Sequence, residues 1–390
     1  MTAAGADQPR RTKVFVLLRH GLDPEQWRKR RAEGLAWDDT PYGYDLAEEF
    51  FDLEWSRDAA ESRSARRRRE RLQRWLGFDW IHVWRNRRGI LNADVVWTHT
   101  EREHLAVAVL RILRRGRFRV LAQTVWLWDE WPRLPAWRRA LARRLLRTHE
   151  VEALLSDANA EASRREVPDR TVVMIPFGTA DTSTAGASEP GDSPEAHVVA
   201  PGNDRHRDWA LLEEVARLLP ETRFSVFSAA RAATSRSWPP NVTIETAASV
   251  VDLARVYATA SAVALPLKPN LHASGITVAN EAMSAGTPLV VSDAGGVGPY
   301  VDSPGCHLAP VGDAPGFAEA LRAAFAHDRD AITERLRSRR RELGLTQQDY
   351  VYRYAWLTLW LTGRSELTSH VTAFAPVPRP PAETAADALG

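Results

Sequence analysis

The pattern that most narrows what this chain can become is an alternation run through twice. Short apolar stretches of strand length are separated by longer ones whose apolar residues recur at spacings of three and four. That is the signature of parallel strands joined by helices that cover both faces of a sheet. The first pass opens with KVFVLL (13–18) and a loop rich in Trp, Tyr, Asp and Gly that runs through WDDTPYGYD (37–45). A largely helical region is expected over 46–76, with its arginine run on the outer face. Strands at 94–98, 118–125, 154–156 and 172–175 follow, with helices at 101–115 and 136–147 between them. The second pass places strands at 197–200, 224–227, 242–245, 262–267 and 289–292, and helices at 209–219, 248–260 and 276–286. Between the passes, TADTSTAGASEPGDSPE (179–195) is small, polar and without period, which reads as a linker.

A length of 390 residues supports two such units. The expected organisation is a disordered N-terminus (1–12), a Rossmann-like domain (13–178), the linker (179–195) and a second Rossmann-like domain (196–345). A final helix over 346–363 carries Tyr350, Tyr354, Trp356 and Trp360, and a Pro- and Ala-rich tail (364–390) reads as disordered. No apolar run approaches the roughly 18 residues that cross a bilayer, and the first residues lack the build of a signal peptide. The expected location is the cytoplasm.

Cys306 is the only cysteine, which excludes an internal disulfide and any multi-cysteine metal site; it reads as a packed small residue. With a formal net charge of +2, no general affinity for nucleic acid is implied. The basic clusters instead lie early, in SARRRRERLQR (64–74) and WRRALARRLLR (137–147). They fit solvated helix faces, or a surface for anionic lipid head groups or an acidic acceptor. Eleven of the fifteen tryptophans precede residue 150; Trp126, Trp128 and Trp131 lie where rings either pack or stack on sugars.

The segment that carries chemistry is LPLKPNLHASGITVANEAMSAGTPLVVSDAGG (265–296). A strand ends, a loop follows, and a helix opens near Gly275–Thr277. An opening helix turns free N–H groups and its positive dipole end forward, which suits a diphosphate. Gly275 and Ile276 bring backbone close, while Ser274 and Thr277 offer hydroxyl donors. Glu281 stands one to two turns on, either as acceptor for two ribose hydroxyls or as an ordinary helix glutamate.

The stretch GITVANEAMSAGTPLVVSDAGG closely resembles the donor motif of the retaining GT-B glycosyltransferases of the group-1, or family-four, class. APGNDRHRDWALL (200–212) is similar to that family's diphosphate loop, which puts Gly202, Arg205 and Arg207 at the phosphates. SDANAEASRREVPDRTVVMIPFG (156–178) resembles its approach to the hinge. TPYGYDLAEEF (40–50) resembles its glycine loop, with Gly43 beside donor phosphate or acceptor. The resemblance implies an α/β GT-B fold, with two Rossmann-like domains facing each other across a cleft and the last helix packing back on the first domain. It implies an enzyme that transfers a sugar with retention from a nucleotide-diphosphate sugar, which is a substrate rather than a cofactor. Leaving-group charge would be offset by arginines and the helix dipole. The resemblance implies that no bound metal is needed, and the sequence shows no His/Cys cluster, so no metal is expected.

Two departures stand out. The family's pair of glutamates is reduced to Glu281, because position 273 is alanine, so contacts to the donor sugar fall to Lys268, Asn270 or His272. Where the family places a histidine, this chain has Trp126, with Asp129 three residues on; His99, in DVVWTHTE, occupies another family histidine position. The catalytic expectation therefore rests on His99 and Asp129. The expected acceptor is a saccharide or lipid-linked saccharide, reached at the inner membrane face through basic helices 63–76 and 136–147. Rival readings are a soluble small-molecule acceptor, and a protein that binds sugar nucleotide without turnover.

Overall fold

Alternate residues of a strand point to opposite faces, so a strand covered on both sides must be apolar at every position. Val14 and Val16 pack on one face of the first sheet while Phe15 and Leu17 pack on the other. The structure, a computed structural model, describes residues 10–183 and 196–364. The linker portion 184–195 and the tail from 365 lie outside them, as do residues 1–9.

The first sheet contains β1 (Lys13–Leu17), β2 (Asp52–Trp55), β3 (Val95–Thr98), β4 (Arg119–Thr124), β5 (Val151–Leu154) and β6 (Val172–Met174), in the order β2-β1-β3-β4-β5-β6. The second contains β7 (His197–Pro201), β8 (Arg223–Phe227), β9 (Val242–Glu245), β10 (Ala262–Leu265), β11 (Leu289–Ser292) and β12 (Cys306–Ala309), in the order β12-β11-β10-β7-β8-β9. All pairs are parallel. This is the expected double Rossmann-like, GT-B architecture.

Four expectations need correction. Residues 46–76 are not one helical region: Asp52–Trp55 is an edge strand, and the helix is confined to Arg63–Leu76. An edge strand buries little, so DLEW carries no apolar signature, and the same holds for Cys306–Ala309. The arginine run is not wholly solvated either, because Arg69 is buried and ion-paired to Glu61 and Asp79 at 3.1 and 2.7 Å. The strand expected at 154–156 lies at Val151–Leu154. Its interior Glu152 hid it, a carboxylate satisfied by Thr124, Trp128, Ser163 and Arg170. Part of the segment read as loop, Pro24–Ala32, is a helix that buries no residue and so has no apolar face to announce it. At the chain's start, Arg10 pairs with Asp94 at 2.6 Å and so docks on the first sheet.

The last helix, Gln347–Leu361, opens on a capping box between Thr346 and Asp349 and lies against the first sheet. Trp97 donates from Nε1 to Thr358 at 2.8 Å, and both Tyr350 and Tyr354 donate to Gln123 Oε1 at 2.6 Å. Gly178, where the chain leaves the first domain, passes the return segment so closely that a Cβ would meet the Thr346 carbonyl at 1.9 Å. Cys306 packs beside Met283 and Leu336, and burial pushes its thiol up to about 12, which fits a packing residue.

Candidate functional site

Open parallel sheets place loops at the carboxyl ends of their strands. Here both sets of loops face one cleft of about 400 Å³. From the first domain come Arg19 after β1, His99 after β3, Trp126 after β4 and Leu155 after β5, together with Tyr42 and Arg102. From the second come Gly202, Asp204 and Arg207 after β7, and the run His272–Val278 after β10.

The second-domain wall is built around one guanidinium. Arg207 is 4% exposed; it donates from Nε to the Pro201 carbonyl and from Nη1 to Ser274 Oγ, both at 3.1 Å. Burial pulls its pKa below the usual guanidinium value, against the pull of the Asp204 charge. Among the described residues no carboxylate comes within ion-pairing distance of it. Two glycines make room for it. A Cβ on Gly202 would lie 2.2 Å from Arg207 Nε, and one on Gly275 would lie 3.3 Å from Nη1. Both have left-handed φ, +146° and +92°. Gly275 opens helix Ile276–Ala285 without any side-chain cap. The Ile276 N–H is taken by the Ala273 carbonyl at 3.3 Å, so Thr277 and Val278 bring the next N–H groups of the first turn to the cleft wall beside a buried cation, the geometry of an anion site.

Of the other donor-side expectations, Ser274, Ile276, Thr277 and His272 line the cleft. Arg205 instead pairs with Glu130 across the domains at 3.1 Å, with both side chains about half exposed. Lys268 and Glu281 are not among the cleft's walls. The Glu281 carboxylate accepts from Tyr257 at 3.0 Å, and burial raises its pKa to about 7.

The first-domain wall is aromatic. Tyr42 stacks on His99 with ring centroids 3.7 Å apart, and Tyr44 Oη lies 3.1 Å from His99 Nδ1 and 2.9 Å from Tyr350 Oη. Burial, with the Arg19 charge, pushes His99 down to about 3, so the imidazole is neutral near pH 7. Gly43 has φ +66°, and a Cβ there would strike Gln347 at 2.4 Å. Its smallness serves the docking of the last helix, and it does not line the cleft.

Asp129 does not face the cleft as a free base. Its carboxylate accepts from the Leu271 N–H at 2.7 Å and from His272 Nδ1 at 2.5 Å, clasping the second domain. His272 Nε2 lies 3.4 Å from Asp204, which in turn accepts from His206 at 2.6 Å (backbone) and 3.1 Å (ring). Burial alone would lower His272, but the two carboxylates outweigh it and raise its pKa; burial alone would raise Asp204, yet the two imidazoles hold it well below the carboxylate range. Asp129, His206 and His272 together offer three ligand atoms within 4.8 Å of one another. The chain therefore does hold a cluster of metal-ligating type, contrary to the expectation. Tyr42, Asp204 and His206 also belong to the site but carry no local signal of it, because the glycines and arginines of their motifs are the residues whose geometry and charge stand out in sequence.

Residues 200–327 match the family described as glycosyl transferases group 1. No curated protein matches the chain in sequence. Among solved structures, sucrose-phosphate synthase from Thermosynechococcus elongatus superposes with a TM-score of 0.66 at 16% identity, covering 90% of this chain and 100% of that one. HepE of Anabaena, in complex with UDP-glucose, gives 0.63 at 14%, covering 89% and 99%. The α,α-trehalose 6-phosphate synthase of Burkholderia multivorans gives 0.61 at 13%, covering 92% and 99%.

Proposed function

We propose that this chain, which carries a group 1 glycosyl transferase domain on a GT-B scaffold, moves a sugar from a nucleotide-diphosphate donor onto a saccharide or lipid-linked saccharide, with retention. The observation that carries the reading is Arg207: a buried guanidinium without a carboxylate partner, set between Gly202 and Gly275 before an uncapped helix. A buried charge needs a counter-charge, and a diphosphate supplies one. Charge developing on the departing nucleotide diphosphate would meet Arg207 and the helix N-terminus, with little reorganisation. The HepE complexes with UDP and with UDP-glucose make those two the first ligands to test.

The acceptor hydroxyl would enter along the first-domain wall, past Arg19, Tyr42 and Trp126. Neutral His99 would hydrogen-bond a sugar hydroxyl, and Asp129 would act through His272 rather than on the substrate. A lipid-linked acceptor is supported by helices Arg63–Leu76 and Ala136–Leu146. There Trp75 and Trp137, 61% and 45% exposed, stand with ring centroids 5.7 Å apart among arginines. Exposed tryptophans among basic side chains suit an anionic membrane face. Among the described residues no helix is long and apolar enough to cross a membrane. Ala273, buried where the family has a glutamate, favours a second reading: a protein that binds sugar nucleotide without transferring the sugar.

Thermal melting with nucleoside diphosphates and their sugars tests the site. Ligand at a hundred times its Kd adds about 2.7 kcal/mol of stability. The expected result is a shift with one nucleotide family that shrinks in Arg207→Lys and Ser274→Ala. A folded protein that no nucleotide shifts sinks the reading. Consumption of the shifting donor, followed with and without acceptor, separates transfer from binding.

A further inference from the structure

We propose that Asp129, His206 and His272 form a site for a divalent transition-metal ion that bridges the two domains at the side of the cleft. The residues come from three separated segments: the short helix Leu127–Glu130 of the first domain, the loop after β7, and the loop before helix Ile276–Ala285. Their ligand atoms already lie within 4.8 Å of one another, and Asp204 adds a second carboxylate 3.4 Å from His272 Nε2 and 3.1 Å from His206 Nδ1. Two imidazoles with carboxylates suit zinc, cobalt or nickel better than calcium or magnesium, which prefer oxygen throughout.

Asp129 and Asp204 approach opposite nitrogens of His272, and His206 lies against Asp204, so two carboxylates and two imidazoles are gathered at one place between the domains.

The loops are held before any ion arrives. The Leu271 N–H donates to Asp129, and the His206 carbonyl accepts from the Lys268 N–H at 2.8 Å. Asp204 and His272 line the cleft, which gives an ion its route in. An ion there would stand near Arg207, although its binding does not depend on the proposed transfer activity.

The test is titration of Zn2+ into the chelator-treated full-length chain by calorimetry, without nucleotide. Metal content after gel filtration and the visible spectrum of the Co2+ form are read beside it. One ion per chain is expected, bound at least tenfold more weakly in His206→Ala and in the near-isosteric Asp129→Asn. His307→Ala, which breaks the separate His307–His327 pair (3.0 Å), is expected to bind as the parent does. Far-UV circular dichroism identifies any variant that fails to fold, and the Co2+ spectrum of the parent stands without variants. Absence of stoichiometric Zn2+ and Co2+ binding overturns the proposal. So does binding that survives both cluster variants or is lost in His307→Ala. Because no nucleotide is present, these results stand apart from any failure to bind a donor.

Discussion

On its second-domain side the cleft is shaped by main chain packed about one arginine: two glycines and a helix N-terminus around Arg207, with Asp204, His272 and Ser274 beside them, all within two short stretches of sequence. On its first-domain side it is walled by side chains, Tyr42, His99 and Trp126, backed by Tyr44, Gln123 and a tyrosine from the last helix. The first wall needs close approach, so its tolerance is set by volume. The second needs many partners, so its tolerance is set by packing and satisfied hydrogen bonds.

Removing packing from the aromatic wall should cost most. Trp97 is fully buried, and Trp97→Ala leaves a cavity beneath Tyr44 and Tyr354 and orphans Thr358. Chemical unfolding should show a loss of about 3–5 kcal/mol. A loss under 1 kcal/mol would mean that the last helix is not docked as described.

Adding volume to the main-chain wall should act on binding. Gly202→Ala pushes a Cβ into Arg207, and calorimetry should show nucleotide affinity falling about 10- to 100-fold, the worth of a charge-assisted hydrogen bond. Unchanged affinity would detach Arg207 from the donor.

Acid and alkali should separate the aromatic wall from the clasp between domains. The unfolded imidazole titrates near 6.5. With His99 depressed to about 3, the unfolded chain takes up protons first, so this wall loses stability as pH falls from about 6.5 toward 3. His272 is raised, so its contribution is full below 6.5 and fades as pH rises through the folded value. Melting against pH should therefore flatten on the acid side in His99→Gln and on the alkaline side in His272→Gln. The reverse pattern would break the assignment.

The smallest effect is expected at the rim. Arg205→Ala removes an ion pair that water already screens, and should change stability by under about 1 kcal/mol and donor affinity by under threefold. A larger loss of affinity would return Arg205 to the diphosphate.

The contrast also explains what could be read beforehand. Gly275, Ser274 and Arg207 were legible because glycine and a helix opening mark local backbone geometry. The partner of Asp129 was not legible, since nothing in WLWDEW says that His272, far along the chain, takes its carboxylate. Gly43 likewise has its close neighbour, Gln347, far along the chain.

From the sequence alone followed the two runs of alternating strands and helices, the position of the break between them, and the helix that opens at Gly275. Each rests on periodicity or on the conformational freedom of single residues. Tertiary structure alone decided which side chains meet: that Glu281 answers Tyr257, that Arg69 is buried, and that Asp129, His206 and His272 converge. The last of these joins segments up to 143 residues apart, the first two depend on how neighbouring elements pack, and no local preference encodes either placement.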